Sequence, residues 1–321
     1  MERTIGGNLM MQDNARKITY GAMMIAIFII MVAIAAYVPL LGTIIMLFIP
    51  LPIILYRLRY DRAASIFVTI AGIILSLIGG LFLLPIAFVF GALGFVIGET
   101  IRSQKSKLYI FMAAGLTFLI ATIILYLVSV ILFGINMIDE LGKAIQESQD
   151  QAITFLQGIG DVPEEIVKQM NETIQYTLMA IPSAFILSSF AFALIVILIN
   201  LPIVKRLGHE VPKFPPFRLM KLPVLTVWVY MIVVLLPIFM TIEQGSTSEM
   251  TFVNASFILR FLFLIQGISF IHHLMNERKL SKWVTVLSTI IAILFSPLTV
   301  ILGILDTGIN IRAWVGKNKS R

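Results

Sequence analysis

The sequence predicts an all-α protein, a polytopic transmembrane helix bundle of about 8–9 spans with an extracytoplasmic helical hairpin extension. Three observations predict it. First, 59% of the 321 residues are hydrophobic and only 13% are charged. Soluble domains carry about 25% charged residues, so this chain lacks the groups to coat a water-facing surface of its size. Second, the apolar residues fall in runs long enough to cross a ~30 Å hydrocarbon core. Third, one stretch, 134–176, departs from this pattern and is acidic. Cysteine is absent, which excludes disulfides, thiolate metal sites and cysteine nucleophiles.

The apolar runs are 18–37, 40–55, 63–78, 82–98, 108–133, 177–201, 222–242, 252–275 and 283–305. No cleavage site follows the first, so it reads as a span and not as a signal peptide. The second to fourth are short. Pro39, Pro50, Pro52, the Gly79-Gly80 pair and Pro85 stand at or near their ends and mark breaks or tight turns. Such interruptions are tolerated in a membrane where protein or a cavity covers the backbone.

Lysine and arginine set the expected orientation. With the N-terminus in the cytoplasm, the inner side holds Arg3, Arg16 and Lys17; Arg57, Arg59 and Arg62; and Arg102, Lys105 and Lys107. It further holds Lys205, Arg206, Lys213, Arg218 and Lys221, then Arg278, Lys279 and Lys282. These are seventeen of the 24 basic residues. The outer loops hold only Lys143 and Lys168. The net charge of +7 is therefore a topology signal, not a nucleic-acid signature. The expected location is the bacterial plasma membrane. The basic tail, with Arg312, Lys317, Lys319 and Arg321, conflicts with nine full spans, which would place it outside. Either one short run does not cross, or the Ser296-Pro297 break bends the last segment back.

The stretch 134–176 holds Asp139, Glu140, Glu147, Asp150, Asp161, Glu164, Glu165 and Glu172 against Lys143 and Lys168. Ile138, Leu141, Ile145, Ala152, Leu156 and Ile159 recur near helical spacing, and Gly158-Ile-Gly160 ends the pattern. Asp161 is placed to cap a second helix whose first turn holds Pro163, Glu164 and Glu165. The reading is two helices extended outward as a hairpin, the second running into span six. The plainest role for its acids is solvation of an outer surface. The proline-rich, basic segment 202–221 separates six spans from three. It suits the anionic inner leaflet better than protein docking. The organisation is thus 1–201 as a six-span core that includes the hairpin, 202–221 as the inner loop, and 222–321 as C-terminal helices with about three spans.

Motifs for catalysis are absent: no HExxH, no GxSxG and no GxxxxGK[ST] occur. His272 and His273, with Glu277, resemble a metal cluster, but adjacent helical residues point about 100° apart. No metal or cofactor site is expected, and the chain reads as a non-enzyme. Gly91, Gly94 and Gly98 lie in an apolar helix, where they serve close helix packing and not nucleotide binding. Buried charge is more informative. Arg260 lies well inside span eight, where a cation costs about 2.5–3.5 kcal/mol or more and needs a partner or a cavity. Asp306 ends span nine, and an odd span count puts it on the same outer side. The sequence therefore predicts an Arg260–Asp306 contact, with Gln266, Asn254 and Asn310 nearby and Arg312 just beyond. This cluster either locks the last two spans together or binds a ligand or lipid headgroup. In span one, Ala22-Met-Met-Ile-Ala26 places small residues at i and i+4, where another helix can approach closely.

These residues carry a family resemblance. Ala22 and Ala26, the Leu51-Pro-Ile-Ile-Leu55 entry into a basic turn, and the glycine-punctuated third and fourth spans resemble the S components of energy-coupling-factor transporters. The whole chain, including Gly303…Asp306…Arg312, is similar to the YybS family of uncharacterised bacterial membrane proteins. The S-component resemblance covers about two-thirds of the chain. It implies a six-span substrate-binding fold in which Ala22 and Ala26 dock a transmembrane coupling subunit driven by separate ATPases. Three spans are additional to that pattern. Polar groups for a solute are few: Tyr126, Ser129, Asn171, Gln175, Tyr176 and Ser183. Their scarcity favours a small hydrophobic solute or a lipid, or no ligand. The expected function is S-component-like binding or translocation of such a solute. The alternative is a non-transporting scaffold or regulator whose hairpin and inner loop contact partners. A lipid-processing enzyme is disfavoured, because paired acids and metal ligands are missing.

Overall fold

The computed structural model describes residues 2–160, 163–213, 215–240, 242–243 and 245–312, with side chains from Asn14 onward. The expected cap Asp161 and the tail residues Lys317, Lys319 and Arg321 lie outside the described residues. Among the described residues there are thirteen α-helices, two short 3-10 turns and no strand. The helices are α1 (Glu2–Tyr37), α2 (Pro39–Met46), α3 (Leu51–Arg59), α4 (Arg62–Leu75), α5 (Leu83–Arg102), α6 (Lys107–Phe133) and α7 (Met137–Ile159). They continue as α8 (Glu164–Met179), α9 (Ile181–Arg206), α10 (Leu225–Phe239), α11 (Thr247–Glu277), α12 (Lys282–Leu294) and α13 (Ser296–Gly308).

Among the described residues, seven segments are long and apolar enough to cross a membrane: Asn14–Tyr37, Pro39–Arg59, Arg62–Gly79, Leu83–Arg102, Lys107–Phe133, Ile181–Arg206 and Thr247–Glu277. The pair α12–α13 makes an eighth if it is counted as one span, but it is bent by 105°. α10 is apolar and shorter, at 15 residues. The polytopic helical bundle is therefore the fold.

The chain divides into two compact units. Unit 1 comprises Met1–Met137 and Ser188–Lys213, and unit 2 comprises Ile138–Leu187 and Phe214–Arg321.

Unit 1 is organised around α5, whose buried residues include Leu93, Gly94, Ile97 and Gly98. The glycines work as the sequence reading expects. A Cβ on Gly94 would lie 2.7 Å from the Pro50 carbonyl oxygen, and one on Gly98 would lie 2.8 Å from Arg57 Cβ. α3 can approach α5 this closely because those positions carry no side chain. The prolines also act locally. Val38, before Pro39, takes an extended conformation (φ −117°, ψ 93°), which separates α1 from α2. Between α2 and α3 the Leu51 amide bonds back to Phe48, so the Leu47 carbonyl loses its helical donor. Fully buried Asn200 supplies a replacement through Nδ2 at 2.8 Å. A broken helix is thus tolerated because a neighbouring side chain satisfies the freed backbone group.

In unit 2, α7 and α8 form the expected hairpin, joined by Gln149 Nε2 donating to Asn171 Oδ1 at 2.8 Å. α8 does not run unbroken into span six, since the chain interrupts at Ala180 before α9. Asn254 of α11 spans this interruption. Its Nδ2 donates to the Met179 carbonyl and its Oδ1 accepts the Ser183 amide, both at 2.8 Å. α13 crosses α11 through a reciprocal pair of glycines. A Cβ on Gly267 would lie 2.1 Å from the Thr299 oxygen, and one on Gly303 would lie 2.0 Å from the Phe263 oxygen. Only glycine fits at either position.

Candidate functional site

The densest polar cluster of unit 2 forms where α11, α13 and the segment 217–222 meet. Gln266 and Ser269 of α11 are fully buried and stand three residues apart, so they share one helix face. Asp306 and Thr307 of α13 are fully buried as well. Gln266 Oε1 accepts the Leu222 amide at 3.0 Å, while its Nε2 donates to Asp306 Oδ2 at 2.6 Å. The same Oδ2 accepts Arg312 Nε at 2.8 Å. Arg312 Nη1 donates to the Arg218 carbonyl at 2.6 Å, and Nη2 donates to Ser269 Oγ at 3.1 Å. Ser269 Oγ in turn faces the carbonyls of Phe217 (2.8 Å) and Met220 (3.1 Å), between which it shares its one proton. One helix face, one carboxylate and one guanidinium thus fasten to the bundle a strap that begins as a short 3-10 turn, Phe217–Leu219.

The arrangement leaves one atom unmatched. Asp306 Oδ1 is buried and has no hydrogen-bond partner. A carboxylate offers about four acceptor positions, and only those on Oδ2 are used. Arg312, by contrast, spends each of its three nitrogens on a named acceptor. The ion pair is formally neutral. What remains open is an acceptor that suits a hydrogen-bond donor such as water or a hydroxyl.

The predicted Arg260–Asp306 contact is corrected. Arg260 is exposed, and its Nε lies 3.4 Å from the Tyr230 hydroxyl. The physical reason is twofold. Arg260 and Gln266 are six residues apart and point to different sides of α11. The 105° bend before α13 also carries Asp306 to the Gln266 face. Asp306 was expected at the end of the bundle that carries the hairpin. It lies instead toward the end that carries the 217–222 strap. Asn310 is exposed and joins the cluster only through its backbone: a left-handed φ of 53° turns the chain so that Arg312 reaches back. Asn254 serves the α8–α9 break and not this cluster. Gln266 and Arg312 are brought together with Asp306, as their place in the sequence suggested.

Ala22 and Ala26 lie on the exposed face of α1, with Met23 and Ile30 beside them. The opposite face, Gly21, Met24, Phe28 and Val32, is buried in unit 1. Near the start of the apolar span of this helix, polar and aromatic contacts hold it to its neighbours. Lys17 pairs with Asp61, and Arg57 Nε pairs with Glu99 Oε2 at 2.6 Å. Tyr20 stacks on Tyr56, Tyr60 meets both rings at a tilt, and the Arg59 guanidinium sits 4.8 Å from the Tyr20 ring centroid. The Lys17 hydrogen bond, joined by one from the Ala64 amide, lowers the Asp61 carboxyl to about 2.

The remaining candidates hold local contacts. His272 Nε2 lies 2.8 Å from Thr289 Oγ1 and its ring meets Phe217 edge-on, and no group of three metal-ligating side chains occurs among the described residues. Tyr126 donates to Asn136 Oδ1 at 3.0 Å, and Ser129 donates to the Ile135 carbonyl at 3.1 Å. A groove of ≈ 640 Å³ opens between α7 and α8. Ile145, Ala152, Ile166, Met170 and Ile174 line it, and Gln149 and Thr173 supply polar groups.

Sequence reasoning missed three features: Ser269, the Asn200 bond to Leu47, and the tyrosine stack. Ser269 and Asn200 were visible as polar residues within apolar runs. Which carbonyl each would cap depends on breaks in distant helices.

No solved structure matches the chain. "Uncharacterized protein YybS" of Bacillus subtilis (strain 168) is 29% identical over 303 residues, covering 92% of this chain and 97% of that protein. The family described as "Predicted membrane protein (DUF2232)" matches residues 26–307. The seven or eight apolar segments long enough to cross a membrane accord with that description, and the match runs from inside α1 to the buried Asp306–Thr307 pair. The chain belongs to this family of predicted membrane proteins.

Proposed function

We propose that the protein is a non-enzymatic binding subunit of the bacterial plasma membrane. It resembles an S component, takes a small hydrophobic solute or lipid, and docks a membrane partner through Ala22 and Ala26. The observation that carries this reading is the α1 surface. Ala22 and Ala26 face outward, while the helix has a second, fully packed face for its own unit. Small residues that a bundle does not use internally leave room for a foreign helix to approach closely. On the packed face, the Lys17–Asp61 pair and the contacts of Tyr20 with Tyr56 and Tyr60 hold the start of this span against its own unit. The α7–α8 groove supports the choice of ligand. Its volume lies within the range of small-molecule sites, and its walls are mainly apolar. The distribution of basic residues supports a cytoplasmic N-terminus.

The docking reading makes a direct prediction. Ala22→Leu combined with Ala26→Leu should leave expression and thermal stability unchanged, because both side chains are exposed. Affinity purification in gentle detergent should then lose the coupling subunit and ATPases recovered with the unaltered chain. Native mass spectrometry of the same samples would report a bound lipid or solute. Normal association of the double variant would sink the docking reading.

A second reading is a non-transporting scaffold. It is favoured by the hairpin surface, where Phe155 and Ile159 are 69% and 72% exposed amid acidic residues. Deleting 137–170 would abolish partner recovery on this reading and spare it on the first.

A further inference from the structure

We propose that α12 and α13 do not cross the membrane but form a re-entrant hairpin. Both of its ends then lie at the end of unit 2 that carries the 217–222 strap, opposite the acidic α7–α8 hairpin.

Length argues first. Each helix has 13 residues, about 20 Å, which is less than a ~30 Å hydrocarbon core. The two could cross only if they were collinear, and they are bent by 105°. The bend has local causes. Pro297 stands at the start of α13, and Phe295 leaves helical geometry (φ −99°, ψ 44°). Thr299 Oγ bonds to the Ala292 carbonyl at 2.7 Å, across the break, and so satisfies a backbone group freed by it.

Contacts along α11 fix the direction. Asn254 marks one end, since it holds Met179 and Ser183 at the foot of the acidic hairpin. Ser269 marks the other, since it holds the strap carbonyls of Phe217 and Met220. The two residues are 15 apart, about 22 Å along the helix. α12 leaves α11 after Glu277, beyond Ser269, and returns alongside it: Ser288 meets Met275 and Thr289 meets His272. It reaches only the level of Gly267, since its Ala292 carbonyl accepts Thr299 of α13, which is packed against that glycine. α13 then crosses α11 at Phe263 and Gly267 instead of continuing toward Asn254. Past Asn310 the chain turns back, and Arg312 bonds to Ser269 and to the Arg218 carbonyl of the strap. The segment enters and leaves at the same end.

Two facts that nine crossings leave awkward then follow. Arg312 joins Arg218 and Lys221 of the strap and Arg278, Lys279 and Lys282 of the α11–α12 turn at one end of unit 2, as basic residues gathered on one side would have it. Asp306 Oδ1, buried and unpartnered, comes to lie toward the strap end, where a donor such as water can enter from the loop side. Broken backbone inside a membrane is found where it is buried in protein or lines a water-filled cavity, and the covered α11–α13 crossing is the first of these.

The chain contains no cysteine, so single cysteines can be read without background. Three variants of the full-length protein would be compared in sealed vesicles with a membrane-impermeant maleimide: Gln157→Cys on the acidic hairpin, Lys221→Cys on the strap, and Ser320→Cys in the tail. Ser320→Cys should label with Lys221→Cys, and be protected when Gln157→Cys is labelled. Solubilising the vesicles should equalise all three. Labelling of Ser320→Cys together with Gln157→Cys would show a full crossing and overturn the proposal. Partial labelling from both sides would overturn it too, because the contacts of Arg312 require one position.

Discussion

In unit 1, α5 meets α3 at Gly94 and Gly98, and its apolar side chains fill the space around them. In unit 2, α11 is a long helix whose neighbours are tied to it by Asn254, Gln266, Ser269 and the Arg312–Asp306 pair. Both units use glycine for close helix approach. They differ in what happens where helices break. Unit 1 breaks between α2 and α3, between α3 and α4 and at Gly79-Gly80, where Asn200, the Arg57 and Arg102 guanidiniums, and Tyr37 bond to the Leu47, Tyr60 and Gly79 carbonyls. Unit 2 breaks at Ala180, at the 217–222 strap and at Phe295, and each break draws a polar side chain into the bundle. In a bilayer the hydrophobic effect does not drive helices together, so packing and hydrogen bonds do this work. Both units use both, but unit 2 takes Asn254, Gln266 and Ser269 from one helix, α11, whereas unit 1 takes its capping side chains from α1, α3, α5 and α9.

The largest effect should come from the crossing that combines both. Gly303→Leu puts a side chain where a Cβ alone would be 2.0 Å from a backbone oxygen. Overpacking usually costs about 1–3 kcal/mol where neighbours can shift, and because the neighbour here is backbone this variant should exceed that range and prevent stable folding of unit 2. Gly94→Leu in unit 1 meets the Pro50 carbonyl at 2.7 Å and should cost less. Thermal denaturation of both variants in detergent would rank them, and the opposite order would contradict the view that unit 2 concentrates its packing at one point.

Next in size is the ion pair. Asp306→Ala leaves the Arg312 guanidinium partly buried and unpaired, for which losses of about 3–5 kcal/mol are typical. Partial exposure of Arg312 should bring the observed loss to the lower end. Asp306→Asn keeps the shape and an acceptor for Arg312 and Gln266, and should recover part of it. Equal melting temperatures for the two variants would show that the charge, not the hydrogen bonds, fastens the strap.

The smallest effect belongs to the basic end of unit 1. Asp61 is lowered to about 2 by the Lys17 hydrogen bond. A lowered carboxylate stabilises the fold above its unfolded value near 4, and this contribution is lost as pH falls toward 2. The pair is largely exposed, so the change should stay below about 1 kcal/mol. Melting curves of the unaltered chain and of Asp61→Asn should differ at pH 7 and converge near pH 2.

The hairpin and the glycine-packed helix were legible in the sequence for a physical reason. Ile138, Leu141, Ile145 and Ala152 repeat at the helical period whatever they pack against, and Gly91, Gly94 and Gly98 stand in an otherwise apolar run. The Arg260–Asp306 expectation failed because it assumed that the last run was straight. Charge and distance from the ends of an apolar run say how deep a residue lies. They do not say which way it faces once the helix bends.

The sequence by itself determined that this chain is a helical membrane protein with one acidic excursion, two small-residue faces and a sided distribution of basic charge. These properties depend on composition and on the local period, which each segment carries alone. Only the tertiary structure decided that Asp306 pairs with Arg312 and Gln266, that Asn200 caps Leu47 and that the final helices fold back on α11. Those outcomes depend on where broken helices expose their carbonyls. Satisfying such a carbonyl is a pairing between residues far apart in the chain, and it is set by the packing of the whole unit.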